Sequence, residues 1–113
     1  MRKYAILRKP IDQIYKVMVF ESKEGIYIFE YDTVKDHPCS SDYYFDTKEE
    51  AEIFLHEKFG LRESDWITID DPQEYCQDDL ISPIRLKGRD IGKPVFGEYE
   101  ILHQGKWVKH SLE

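Results

Sequence analysis

Two cysteines are the side chains in this chain that are best suited to nucleophilic chemistry. Cys39 follows His37 by two residues, and Cys76 lies among acidic residues. A thiolate nucleophile needs a nearby cation or imidazolium to stabilise it, and spacing along a loop does not establish that contact. The carboxylates around Cys76 oppose thiolate formation. The pattern therefore favours structural thiols, which are commonly buried in proteins.

The chain lacks a complete catalytic or cofactor motif. Gly88 and the pair Gly92-Lys93 fall one residue short of a phosphate-binding loop, and the hydroxyl residue that holds Mg²⁺ is missing. His56-Glu57 begins a zinc-protease motif, but Gly60 stands where the second histidine is required. We therefore predict no catalytic residue, no metal ligand and no cofactor, and we expect a binding protein rather than an enzyme.

An acidic segment carries as much negative charge as the whole chain. Residues 63–84 contain seven acids and no Lys or Arg, and the net charge of the chain is −7. Clustered carboxylates can form a calcium loop, although no known loop has this spacing. They can also present an anionic face to a basic partner or imitate nucleic acid, supply an acid pair at Asp78-Asp79, or form an ordinary solvated surface. These four interpretations remain open.

A run of alternating cations follows the acidic segment. Arg85, Lys87 and Arg89 occupy every second position, so a strand over residues 85–89 would place all three on one face. Such a face can bind an external anion, with Trp107 available for stacking, or pair with the acidic segment of the same molecule. The net charge of −7 opposes the approach of a polyanion, so we do not expect a nucleic-acid partner.

From these charges we predict a small soluble interaction module that contacts a protein partner through the acidic segment 63–79 and the basic strand 85–89. The alternative function is a small thiol- or metal-dependent hydrolase, which would combine Cys76, or His37 with Cys39, with Asp70, Asp71, Asp78 and Asp79. The candidate binding residues are Asp70, Asp71, Asp78, Asp79, Arg85, Lys87, Arg89 and Trp107.

The elements that position these residues are mostly strands. Twelve Ile, eight Tyr and six Phe against two Ala favour sheet over helix. Alternation predicts a hairpin of residues 13–21 and 25–31, preceded by a strand over residues 3–8 that ends at Lys9-Pro10. Further short strands are expected at residues 43–45, 66–69, 80–86, 98–102 and 106–109.

One helix is predicted over residues 47–59. Thr47 with Glu50 forms a capping box, apolar residues follow at helical spacing, and Gly60 suits a left-handed cap. The fold class is therefore α+β: a mainly antiparallel sheet of about six to seven strands with this helix on one face. Tyr27, Phe29 and Tyr31 share one face of a strand. If the helix covers the other face, these aromatic residues can form a homodimer interface.

The chain is predicted to be one domain over residues 1–111. Leu112 and Glu113 resemble the remnant of a purification tag. No run of 18 apolar residues is present, so we expect no membrane span. Two cysteines and no secretory signal favour a cytoplasmic location, where thiols stay reduced.

Overall fold

The structure, a computed structural model, describes residues 1–112. Glu113, part of the expected tag remnant 112–113, lies outside the described residues. The elements are β1 (Arg2–Ile11), β2 (Ile14–Glu21), β3 (Ile26–Tyr31), β4 (Ser41–Phe45), α1 (Lys48–Phe59), β5 (Ile67–Ile69), β6 (Ile84–Leu86), β7 (Tyr99–His103) and β8 (Lys106–His110). Short 3₁₀ turns occupy Glu63–Asp65 and Arg89–Ile91.

The strands form two antiparallel sheets. The larger sheet has the order β4-β3-β2-β1-β5, and the smaller has the order β6-β7-β8. The predicted α+β class, with mainly antiparallel pairing and one helix, is confirmed. The structure differs from the prediction in dividing the strands between two sheets. No described helix is long and apolar enough to cross a membrane.

The chain divides into two compact units. The first consists of Met1–Lys35 and Cys39–Asp71 and contains the five-stranded sheet and α1. The second consists of Asp36–Pro38 and the chain from Pro72 onward, and contains the three-stranded sheet. The single domain predicted over residues 1–111 stays a prediction, because two compact units can still fold as one cooperative domain.

The helix begins and ends as its sequence predicts. The Oγ1 atom of Thr47 accepts a hydrogen bond from the Glu50 amide at 3.3 Å. The Thr47 hydroxyl also donates to the Glu50 carboxylate at 3.0 Å, so that carboxylate meets the hydroxyl rather than the backbone amide of a standard capping box. Gly60 ends the helix with φ = +63° and donates its N–H to the carbonyl of His56.

The core of the first unit lies between α1 and one face of the sheet. Ala51, Leu55 and Phe59 of α1 cluster with residues that include Val17 and Ile28 on the adjacent strands. The Ile26 and Ile28 face of β3 is therefore the face that the helix covers. Ile53 lies off the apolar stripe of α1 and is 57% exposed.

The first hairpin contains an irregular strand. Residues 2–6 of β1 pair with residues 16–20 of β2, Ile11 pairs with Ile14, and the register shifts between Ile6 and Ile11. The strand thus continues through Pro10, where the sequence pattern predicted its end. Proline is tolerated there because a bulged, edge-exposed segment does not need its missing N–H.

Asp36 belongs to the second unit, although it lies in the loop between β3 and β4. Its two carboxylate oxygens accept hydrogen bonds from the backbone amides of Ile81 and Ser82, each at 2.8 Å. Cys76, Leu80 and Ile84 are buried. The Asp36 carboxylate supplies hydrogen-bond acceptors for two backbone amides of the turn that precedes β6.

Candidate binding groove

The first unit contains a groove with a volume of about 720 Å³ beside the distal half of β1. This volume lies within the range of pockets that bind small molecules, roughly 300–1,000 Å³. One wall is the strand β1, and the other is the chain that leaves the C-terminus of α1. The lining residues are Ile6, Leu7, Arg8, Lys9, Pro10, Ile11, Phe59, Gly60, Leu61, Arg62 and Asp65.

The groove exists because β5 covers only part of β1. Pairing between the two strands joins residues 2–4 to residues 67–69, whereas β1 continues to Ile11. Of the strands that the structure describes, none pairs with the outer edge of β1 beyond Tyr4. That edge therefore faces the groove.

The second wall depends on the way the helix ends. The left-handed conformation of Gly60 turns the chain out of α1, and Leu61 and Arg62 follow along the groove. A 3₁₀ turn holds this wall in place: the Asp65 amide donates to the carbonyl of Arg62, and the Arg62 amide donates to the Asp65 carboxylate at 2.8 Å. The wall is thus fixed by local hydrogen bonds.

The floor of the groove is apolar and continuous with the core. Leu7, Ile11 and Leu61 are partly buried and pack against the core cluster of the first unit. Ile6, in contrast, is 52% exposed. A ligand with apolar side chains would bury this surface and gain roughly 25 cal/mol for each Å² removed from water.

The groove is cationic in an acidic molecule. Arg8, Lys9 and Arg62 line it together with one acid, Asp65, whose carboxylate accepts the backbone amide of Arg62. Among residues 1–112, the salt bridges involve none of these three cations. The groove therefore presents positive charge that the described chain does not neutralise by close ion pairs.

Asp70 and Asp71, two of the predicted binding residues, lie at the end of the first unit. The Asp71 carboxylate lies 2.8 Å from the N-terminal ammonium of Met1. The backbone carbonyl of Asp70 accepts a hydrogen bond from Nε of Arg2 at 2.8 Å. Both aspartate side chains are exposed.

The predicted basic strand over residues 85–89 is wrong. The strand β6 ends at Leu86, and Gly88 then adopts φ = +80°, which starts a 3₁₀ turn that contains Arg89. A left-handed residue ends the pleat, so side chains after it no longer alternate between two faces. Arg85, Lys87 and Arg89 consequently do not form one cationic face.

Arg85 is instead held inside the second unit. The guanidinium carbon of Arg85 lies 3.8 Å from the ring centroid of Trp107. Nε lies 3.3 Å from the Glu100 carboxylate and Nη1 lies 3.6 Å from Asp90. Only 11% of the Arg85 side chain is exposed. Arg85 and Trp107 are therefore brought together, but in a contact that stabilises the small sheet.

The remaining predicted residues lie at the surface of the second unit. Asp78 is exposed and Asp79 is half-buried. Lys87 is exposed, and Nη1 of Arg89 donates to the side chain of Gln77 at 2.6 Å. This hydrogen bond joins one of the three cations to the acidic segment.

Cys39 and Cys76 are not joined by a disulfide in the structure. Cys39 is half-buried and Cys76 is buried. The exposed His37 has Nδ1 at 3.0 Å from the carbonyl of Pro38. Within the described residues, no group of three or more His, Cys, Asp or Glu side chains is arranged to hold a metal ion.

The aromatic side chains of β3 lie on the sheet face opposite the helix. Phe29 and Tyr31 are buried and Tyr27 is half-buried. Tyr27 stacks against Phe20 and Phe29 at centroid distances of 6.3 and 6.2 Å. The predicted homodimer through this face stays a prediction, and Tyr27 is the residue of the three that retains exposed surface.

The chain gives no match in comparisons with protein-family models, curated proteins and solved structures. The groove was not found by sequence reasoning, because it joins residues 6–11 to residues 59–65. Two adjacent cations before Pro10 and a third two residues after Gly60 are the signal that the sequence offers.

Proposed function

We propose that this protein is a non-enzymatic protein-binding module whose groove holds an extended acidic segment of a partner. The observation that carries this proposal is the pairing of an apolar floor with three cations that make no salt bridge in the described chain. Complementary charge selects partners and speeds their encounter, while buried apolar contact supplies affinity.

The chemistry of the groove favours a peptide over a nucleic acid. Ile6, Leu7, Pro10, Ile11 and Leu61 offer apolar surface, which suits aliphatic side chains better than a phosphate backbone. The net charge of −7 also repels a long polyanion, whereas a short segment with a few carboxylates meets mainly the local cations. A cytoplasmic location is also proposed, because both cysteines are in the thiol form that a reducing compartment maintains.

Fluorescence anisotropy with two labelled probes tests the proposal. Both probes are extended peptides of about eight residues, one alternating Glu with Val and the other alternating Lys with Val. We expect the groove to bind the acidic probe and not the basic probe, so any binding of the basic probe elsewhere on the protein should be unaffected by substitutions in the groove. Because the Debye length falls from about 10 Å at 0.1 M salt to about 3 Å at 1 M, affinity for the acidic probe should fall as salt is added.

Charge reversal locates the binding site. Arg8→Glu and Arg62→Glu should each weaken binding of the acidic probe by about tenfold or more. Lys23→Glu is the matched control, since Lys23 is exposed in the turn between β2 and β3 and the substitution changes net charge equally. Equal losses in all three variants, or no binding of the acidic probe by the parent protein, would overturn the proposal.

A second docking surface is proposed on the second unit. The hydrogen bond between Arg89 and Gln77 places a cation beside the acidic segment, so Asp78, Asp79 and Lys87 can present mixed charge to a protein partner. Asp78→Asn with Asp79→Asn should weaken binding of a lysine-rich probe peptide and leave the acidic probe unaffected. If the lysine-rich probe does not bind the parent protein, this second surface is excluded.

A further inference from the structure

We propose that the partner segment binds as an added strand on the outer edge of β1. This inference rests on the proposed function, because it concerns the way in which the same groove holds the same acidic segment. The structural basis is that β5 pairs only with residues 2–4 of β1, whereas β1 continues to Ile11.

The position of an added strand is set by β5. Neighbouring strands lie about 4.8 Å apart, and β5 occupies that position only beside residues 2–4. Beside residues 6–11 the same position falls in the groove, because those residues line it. At about 3.3 Å for each residue, residues 7–11 offer an edge of roughly 17 Å.

The pairing of this part of β1 with its other neighbour, β2, is irregular. The register with β2 shifts between Ile6 and Ile11. Edge strands present N–H and C=O groups that readily pair with another chain. Main-chain hydrogen bonds from a bound segment would satisfy such groups, as in other proteins that bind peptides by strand addition.

The side chains of the groove specify an alternating partner. Successive side chains of an extended peptide point to opposite faces, so one set can enter the apolar floor formed by Leu7, Ile11 and Leu61. The other set points outward, where carboxylates can reach Arg8, Lys9 or Arg62. The expected segment therefore alternates acidic with aliphatic residues.

Arg8, Lys9 and Pro10 are also residues that protect an edge from unwanted pairing. Protection alone would exclude peptides of any sequence, whereas the proposed site accepts an acidic segment and rejects a basic one. The test below distinguishes these two roles.

Backbone methylation of the probe tests the inference without any change to the protein. In an extended peptide, N–H groups of alternate residues point to opposite edges. Two versions of the acidic Glu-Val probe are therefore compared, one N-methylated at every Glu and the other at every Val. Both versions keep the side chains and the charge of the parent probe.

We expect one methylated probe to lose at least tenfold in affinity and the other to stay within about threefold of the parent probe. We also expect slower hydrogen exchange, when the parent probe is bound, at those amides of residues 7–11 that point to the outer edge of β1, and little change at the amides that point toward β2. If the parent probe binds and both methylated probes bind equally well, strand addition is excluded while the proposed function survives. If the parent probe does not bind, the proposed function itself fails.

Discussion

The ammonium of Lys58 lies 2.7 Å from the carboxylate of Glu30, and this ion pair joins the helix α1 to the strand β3. The Glu30 side chain is only 3% exposed, whereas that of Lys58 is 25% exposed. The other carboxylate oxygen of Glu30 accepts a hydrogen bond from the hydroxyl of Ser41 at 2.7 Å. Lys58 also lies 5.2 Å from the ring centroid of Tyr43. The pair thus compensates a buried charge beside the core.

Replacing Lys58 by methionine should destabilise the first unit. The variant leaves the Glu30 carboxylate buried with hydrogen bonds but no cation, which costs about 3–5 kcal/mol for a fully buried pair. Because a quarter of Lys58 is exposed, we expect a loss near the lower end, about 3 kcal/mol. Urea unfolding of Lys58→Met measures it.

The double variant Lys58→Met with Glu30→Gln is the control for this prediction. Removing the charge of Glu30 as well should recover a large part of the stability, since the amide needs no cation. Equal stability of the single and double variants would show that the carboxylate does not depend on Lys58.

Stability should also depend on alkaline pH through Lys58. Burial acts to lower the pKa of Lys58, but hydrogen bonds to Glu30 and Tyr43 outweigh it and hold the pKa above the ordinary value of 10.5. The stabilisation is therefore fully present below pH 10.5 and is lost as pH rises through the folded-state pKa. Urea midpoints over an alkaline pH series should fall less steeply in Lys58→Met than in the parent.

Tyr44 titrates in the same alkaline range, so its contribution to the pH dependence of stability must be separated from that of Lys58. Partial burial, followed by the nearby carboxylates of Asp46 and Glu24, raises the pKa of Tyr44 above 10.0. Its hydroxyl donates to the backbone carbonyl of Glu24 at 2.6 Å, a bond that the phenolate cannot make. The alkaline series is therefore measured in a Tyr44→Phe background. An unchanged slope after Lys58→Met in that background contradicts the prediction.

Arg85→Ala should destabilise the second unit rather than abolish partner binding. The variant removes the contact with Trp107 and leaves the Glu100 and Asp90 carboxylates without their cation. Stacking of a cation on an aromatic ring contributes about 0.5–2 kcal/mol. With the two ion pairs also lost, we expect the free energy of unfolding to fall by about 2 kcal/mol. Tryptophan fluorescence during denaturant unfolding measures it.

Lys87→Ala provides the comparison for Arg85→Ala. Lys87 is exposed, and exposed substitutions usually change stability by less than about 0.5 kcal/mol. Arg85→Lys should not restore the parent stability, because an ammonium lacks the planar guanidinium that lies over the ring. If Arg85→Ala and Arg85→Lys are both as stable as the parent protein, the contact between Arg85 and Trp107 contributes little to stability.

Thr47→Ala should remove the N-terminal cap of α1. The Glu50 amide loses its acceptor at Oγ1, and loss of such a cap typically costs about 1 kcal/mol. Thermal unfolding followed by circular dichroism measures the change. Thr47→Ser keeps a hydroxyl and should restore most of the stability, and an unaltered midpoint for Thr47→Ala would count against the role of the cap.

The helix could be predicted closely because its signals are local. Thr47, Glu50 and Gly60 act within a turn or two of their own positions, so neighbouring sequence carries the information. The alternation of β3 likewise predicted two faces, but not which one meets the helix. That choice depends on the packing of Ala51 and Leu55 against Val17 and Ile28, residues far apart in the chain.

The two failures of prediction at charged residues have different causes. Alternating cations suggested a strand over residues 85–89, but Gly88 at φ = +80° turns the chain after Leu86. A single glycine does not reveal its backbone angle in the sequence. The groove was missed because Arg8 and Arg62 belong to separate segments, and only the folded first unit brings both to one cavity.

The hydrogen bonds from Ile81 and Ser82 to the Asp36 carboxylate join residues that are 45 and 46 positions apart. The loop between Asp36 and Ile81 loses conformational entropy when it closes, and the hydrogen bonds that offset this loss form only once it is closed. During synthesis, Asp36 leaves the ribosome well before the segment it anchors. We therefore expect the turn before β6 to gain its protection from exchange late in refolding, after the hairpin of β1 and β2.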